Sequence, residues 1–108
     1  PERFYHGFVL GLIVDLRGSY VITSNRESGF GRYDVMLEPK NSKESDAIIM
    51  EFKVFDPEEE DTLKDTVQAA LGQIAEKKYA ALLLEKGIPE EHIRCYGFAF
   101  QGKTVLIG

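Results

Sequence analysis

Ala47-Ile48-Ile49-Met50-Glu51-Phe52-Lys53-Val54 is an apolar run interrupted twice by charge. Its aliphatic, β-branched and aromatic content predicts a buried strand. Side chains alternate faces along a strand, so Glu51 and Lys53 share one face. Ile48, Met50, Phe52 and Val54 share the other. Ile49 falls on the charged face too, which argues against a simple solvated edge. Burying a carboxylate and an ammonium costs several kcal/mol each, roughly, unless both find partners. A sequence that accepts this cost usually does so at a site. A second apolar run, Tyr33-Asp34-Val35-Met36-Leu37, carries one more carboxylate. Asp34, Glu51 and Lys53 together form a D…E-x-K set, the minimum for holding a divalent metal against a phosphodiester. The competing reading is a Glu51–Lys53 bridge on a solvated face, with Asp34 paired to Arg32.

Around these two runs the chain alternates between helical and extended patterns. Phe4, Tyr5, Phe8, Val9, Leu12, Ile13 and Leu16 recur as one face of an amphipathic helix, which Arg17-Gly18-Ser19 ends. Tyr20 to Asn25 reads as a strand, followed by a turn at Ser28-Gly29-Phe30-Gly31. Arg32 to Glu38 is the second strand, closed by Pro39 and the polar loop Lys40 to Ser45. The third strand ends near Phe55. Asp56 as N-cap and Pro57 at the first helical position predict one long helix, with Leu63, Val67, Ala70, Leu71 and Ile74 as its buried stripe. Gly87 and Pro89 end it near Glu85 or Lys86. Ile93 to Phe100 and Lys103 to Ile107 are two more strands, joined at Gln101-Gly102. The expected class is α/β, in the order αβββαββ, with a mixed central sheet flanked by helices.

A length of 108 residues suits one compact domain. Seven Phe and five Tyr supply enough bulk for a core without any Trp. The net charge of −5 argues against nucleic-acid binding through bulk positive charge, but not against an acidic pocket that a cation fills. The single cysteine, Cys95, permits neither an intrachain disulfide nor a cysteine zinc cluster, and its apolar neighbours suggest a buried thiol in a reducing compartment. No apolar run reaches membrane-spanning length, and no secretory signal is evident. A cytoplasmic protein with no membrane partner is expected. The chain opens on proline, so residues 1–108 are expected to be a piece of a longer protein, cut near a domain boundary.

Mg²⁺ prefers hard oxygen ligands, commonly one or two carboxylates with water and substrate phosphate. Asp34 and Glu51 could supply the carboxylates, and the main-chain carbonyl of Phe52 a further oxygen. Lys53 could orient the attacking water or offset charge building on the phosphate. Arg26 and Arg32 flank the turn beside Asp34. They either hold a nucleic-acid backbone or balance Asp34 and Glu27. The acidic run Glu58 to Asp61 is better explained by helix N-terminal electrostatics than by metal binding. Lys77 and Lys78 read as a solvated helix face with Glu76.

Gly31-Arg32-Tyr33-Asp34, then Ile48-Ile49-Met50-Glu51-Phe52-Lys53, then Gln73 in the following helix, resembles the PD-(D/E)XK nuclease superfamily. The chain is most similar to the branch found C-terminal to AAA-ATPase-like domains in bacterial proteins. That likeness lies in Ser24-Asn25-Arg26-Glu27-Ser28-Gly29, Glu51-Phe52-Lys53 and Gln73-Ile74-Ala75-Glu76-Lys77-Lys78-Tyr79. The resemblance implies a restriction-endonuclease-like core and phosphodiester hydrolysis of nucleic acid, DNA ahead of RNA, with Mg²⁺ or Mn²⁺. It implies Asp34 and Glu51 as metal ligands, Lys53 as the catalytic lysine and Gln73 as an addition to the site. No shared role for Tyr79 follows, because its spacing from Gln73 departs from that of other relatives. His6 and Glu27 are accessory candidates, as is Glu2 at the start of the first helix. An ATPase-like region upstream in the same chain is implied as a partner, and a homodimer is one arrangement open to it. The alternative function is a catalytically weak or inactive module that binds nucleic acid or dimerises.

Overall fold

A computed structural model describes residues 2–27, 32–41, 43 and 45–108; the side chains of 2–6, 26 and 27 fall outside that description. The expected turn at 28–31, and the side chains of Glu2, Phe4, Tyr5, His6, Arg26 and Glu27, therefore lie outside the described residues.

The elements are α1 (Glu2–Leu16), β1 (Tyr20–Glu27), β2 (Arg32–Pro39), β3 (Ala47–Val54), α2 (Leu63–Lys77), α3 (Tyr79–Glu85), a short 3-10 turn (Glu90–His92), β4 (Ile93–Gln101) and β5 (Thr104–Ile107). The five strands form one sheet in the order β1-β2-β3-β4-β5. β3 pairs parallel with β4, and the other neighbours pair antiparallel. Parallel neighbours need a crossover connection, which α2 and α3 provide. This is the mixed sheet with flanking helices expected from the sequence, and β3 is its central strand.

Alternation along the strands divides the core in two. Val35, Leu37, Met50, Phe52, Phe98 and Phe100 face α1, where Val9 is buried against them and Phe8, Leu12, Ile13 and Leu16 pack alongside. The Phe8 ring lies 5.7 to 6.3 Å from the rings of Phe52, Phe98 and Phe100, an aromatic cluster that pins the helix to the sheet. Met36, Ala47 and Ile49 face the other way, toward Ile74, Leu83 and Ile88. Gly97 on β4 lets α2 approach, since a Cβ there would lie 2.8 Å from the carbonyl oxygen of Val67.

The single long helix expected from Asp56 onward is corrected in two places. Residues Asp56 to Glu60 close a turn of their own, in which the N–H groups of Glu59 and Glu60 donate to Asp56 O. Helix α2 starts only at Leu63. Asp65 accepts from the N–H of Thr62 in a capping box, and satisfying those donors sets the start there. The second correction is a break at Lys78, whose φ of 58° is left-handed and separates α2 from α3. Cys95 is exposed rather than buried, because β5 pairs only with Phe98 to Gln101 and leaves the earlier part of β4 uncovered. Among the described residues, no helix is long and apolar enough to cross a membrane.

Candidate active site

The strand register assembles the site. Asn25, Asp34, Glu51 and Gly97 are successive partners across β1, β2, β3 and β4. Arg32, Lys53 and Ala99 form the next row. Partners in a ladder share a face, so Asp34, Glu51 and Lys53 all project on the α2 side. Along this face the row of Met36 and Ile49 is apolar, the next row is acidic, and the row after it is basic. The site begins where the core of this layer ends.

The two carboxylates are withdrawn from solvent: Asp34 is 2% and Glu51 0% exposed. Lys53 is 5% exposed, so a solvated Glu51–Lys53 bridge is excluded. Lys53 instead bonds Glu60, with Nζ 2.7 Å from Oε2. The second oxygen of Glu60 accepts from Thr66 Oγ1 at 2.8 Å and from the Asp56 N–H at 2.9 Å. Burial alone would raise the Glu60 carboxyl. The hydrogen bonds from Lys53, the Asp56 N–H and Thr66 outweigh it, and hold the group below its usual value. Glu60 was expected on a helix N-terminus; it is drawn inward because a buried ammonium needs an anion.

The far side of the acid pair is closed by the α2–α3 break. Lys77, the last residue of α2, places Nζ 2.5 Å from Asp34 Oδ2 and 3.3 Å from Glu51 Oε1. Tyr79, the first residue of α3, donates its hydroxyl to Asp34 Oδ1 at 2.8 Å and accepts from Asn25 Nδ2 at 3.0 Å. Burial first, and then the Asp34 carboxylate, push the Tyr79 phenol above its usual value. Asp34 is thus bound by Lys77 and Tyr79, not by Arg32 as the competing reading had it. The solvated face proposed for Lys77 is likewise corrected, since its ammonium is turned onto two buried acids.

Gln73 lies one helical turn before Lys77 on the same face. Its amide donates at 3.4 Å to Glu76 Oε2 on the helix surface. The groups that reach the acids from this part of the chain are Lys77 and Tyr79. Arg32 lines an open cleft of about 570 Å³ with Lys53, Asp56, Glu59, Glu60, Asp65, Gln68 and Ala69. Phe52, whose carbonyl was the third candidate oxygen, has a fully buried side chain on the opposite face.

A family model of the PD-(D/E)XK nuclease superfamily matches residues 1–108. The chain belongs to the PD-(D/E)XK nuclease superfamily. The mixed sheet and its flanking helices are accordingly a restriction-endonuclease-like fold. Nothing among curated proteins or solved structures matched the chain. As a superfamily member it is a nuclease-type domain, in a class that hydrolyses phosphodiester bonds of nucleic acid and typically uses divalent metals.

Three residues of this candidate site escaped the sequence reading. Lys77 had a signal: the 3–4 spacing of Val67, Ala70 and Ile74 continues to 77, so a lysine occupies a position of the buried stripe. That is the same kind of polar break that marked Glu51 and Lys53. Tyr79 is set aside by its spacing from Gln73, and its direction depends on the left-handed residue before it. Glu60 could not be told apart from its acidic neighbours by spacing.

Among the described residues no group of three or more His, Cys, Asp or Glu is placed to hold a metal. Two carboxylates nevertheless suffice for Mg²⁺ when water and substrate phosphate complete the shell. The fit to a cation rests on Lys77: one ammonium already sits against an oxygen of each acid. A pair that accepts a tethered cation has the charge and spacing to accept a free one.

Proposed function

We propose that this domain is a metal-dependent nuclease whose site is Asp34, Glu51 and Lys53. The observation that carries the reading is the Asp34–Glu51 register pair, two buried carboxylates sharing a bound cationic group. In it, Asp34 and Glu51 hold Mg²⁺ or Mn²⁺, and the Phe52 carbonyl completes the protein oxygens. When bound, the ion supplies Lewis acidity toward the scissile phosphate and a water of lowered pKa. Lys53 stands next to Glu51 on the same face and opens on the cleft that Arg32 lines. Its ammonium offsets negative charge developing on the phosphate, and Glu60 fixes its position. Arg32 orients the nucleic-acid backbone through its guanidinium, with Arg26 as a second contact. Tyr79 keeps Asp34 turned toward Glu51. Gln73 has an accessory place beside Lys77, and His6 and Glu27 remain accessory candidates from the sequence. DNA is the favoured substrate.

The test is cleavage of DNA and RNA by the full chain with Mg²⁺ or Mn²⁺. Asp34→Asn, Glu51→Gln and Lys53→Ala should each lower the rate by roughly 10²-fold or more. Cleavage that persists in all three variants removes the assignment. Salt-sensitive binding without metal and without cleavage would favour the alternative of a nucleic-acid-binding module.

A further inference from the structure

Lys77 has no part in the hydrolytic scheme above, yet its ammonium contacts both acids. Asp34 and Glu51 face each other across adjacent strands, out of water, and two such anions repel unless a cation lies between them. The Lys77 ammonium is that cation, at 2.5 and 3.3 Å from one oxygen of each. A divalent ion ligated by both carboxylates competes for the same oxygens. Two cations cannot occupy one such pair at close range without strong repulsion.

We propose that Lys77 is a positioning residue of the metal site, a tethered cation that a divalent ion must displace. It holds Asp34 and Glu51 together before the metal arrives. This rests on the reading that those two acids are the metal ligands. Its place in the chain suits an exchange. Lys77 is the last residue of α2, its side chain is one-fifth exposed, and the backbone turns left-handed at Lys78. A displaced ammonium at a helix C-terminus stays near the last carbonyls of the helix, where positive charge is favoured. The arrangement makes metal occupancy a competition set by this one side chain.

The experiment is Mn²⁺ titration of the full chain without nucleic acid, followed by electron paramagnetic resonance of the free ion. Lys77→Met and Lys77→Gln should each bind Mn²⁺ at least fivefold more tightly than the wild type. Lys77→Arg keeps a cation and should stay within about twofold of it. Without metal, Lys77→Met should melt below the wild type, and saturating Mn²⁺ should remove the difference. A side chain with a merely structural role would not tighten metal binding when removed. In the wild type, the Lys77 ε-methylene NMR signal, identified by its loss in Lys77→Arg, should move on saturation with Mg²⁺; this holds even if the neutral variants fold poorly. Unchanged or weaker Mn²⁺ binding in Lys77→Met and Lys77→Gln, or an unmoved Lys77 signal, overturns the inference while Asp34-dependent metal binding stands. No Mn²⁺ binding by the wild type or by either neutral variant overturns both the inference and the metal-dependent reading.

Discussion

Lys53 and Glu60 form a buried ion pair, Nζ to Oε2 at 2.7 Å, that ties the central strand to the loop preceding α2. Glu60 lies seven positions after Lys53, but the turn at Asp56 folds the loop back onto the sheet. The side chains are 7% and 6% exposed, so each charge relies chiefly on the other. The lysine that the proposed chemistry relies on is therefore held by an acid outside the D…E-x-K set.

Replacing Glu60 with Gln keeps the shape and strands the Lys53 charge. Breaking one partner of a buried pair costs about 3–5 kcal/mol, and urea unfolding at pH 7 should show a loss of that order. The pH dependence has a definite sign. The Glu60 carboxyl is held below its ordinary value of 4.5, so its contribution is present above that value and is lost as pH falls through the lower folded one. The gap between wild type and Glu60→Gln should be full at pH 7 and shrink in acid. Equal stabilities at pH 7 would show that the pair contributes nothing net.

Tyr79→Phe removes a donor to Asp34 and an acceptor for Asn25 while leaving the ring. Losing such a hydroxyl costs about 1 kcal/mol in stability. The Tyr79 phenol is raised above its ordinary value of 10.0 in the fold, so its contribution is complete below that value and disappears as pH rises through the higher folded one. Urea midpoints from pH 6 to 9 should differ by a constant amount. The difference should narrow in stronger alkali. A gap that varies between pH 6 and 9 would point to a different titrating partner.

Gly97→Ala should destabilise the fold by about 1–3 kcal/mol, because the added methyl meets backbone rather than a flexible side chain. The new carbon would lie 2.8 Å from Val67 O and 3.2 Å from Ala70 Cβ, forcing α2 away from the row that carries Glu51. Gly72→Ala is the control. It lies within α2 with nothing within 4 Å, and alanine is the better helix former by about 0.5–1 kcal/mol. Thermal melting of the two variants should move in opposite directions. A Gly97→Ala protein as stable as the wild type would contradict the close approach of α2.

The sequence by itself determined the sheet and the acidic half of the site. Apolar, β-branched and aromatic runs bounded by turn residues placed all five strands, and charge inside two of those runs marked Asp34, Glu51 and Lys53. Those signals are local, since a strand shows its two faces to any reader of its sequence. What only the tertiary structure decided is which cations and donors meet those acids. The helix after β3 looked continuous because its composition is helical throughout. The Asp56 turn, the Thr62–Asp65 capping box and the left-handed Lys78 divide it. Those three features turn Glu60 onto Lys53, and Lys77 and Tyr79 onto Asp34. The physical reason is that a buried charge must find its partner in space, and spacing along the chain does not encode where the backbone bends to bring it there.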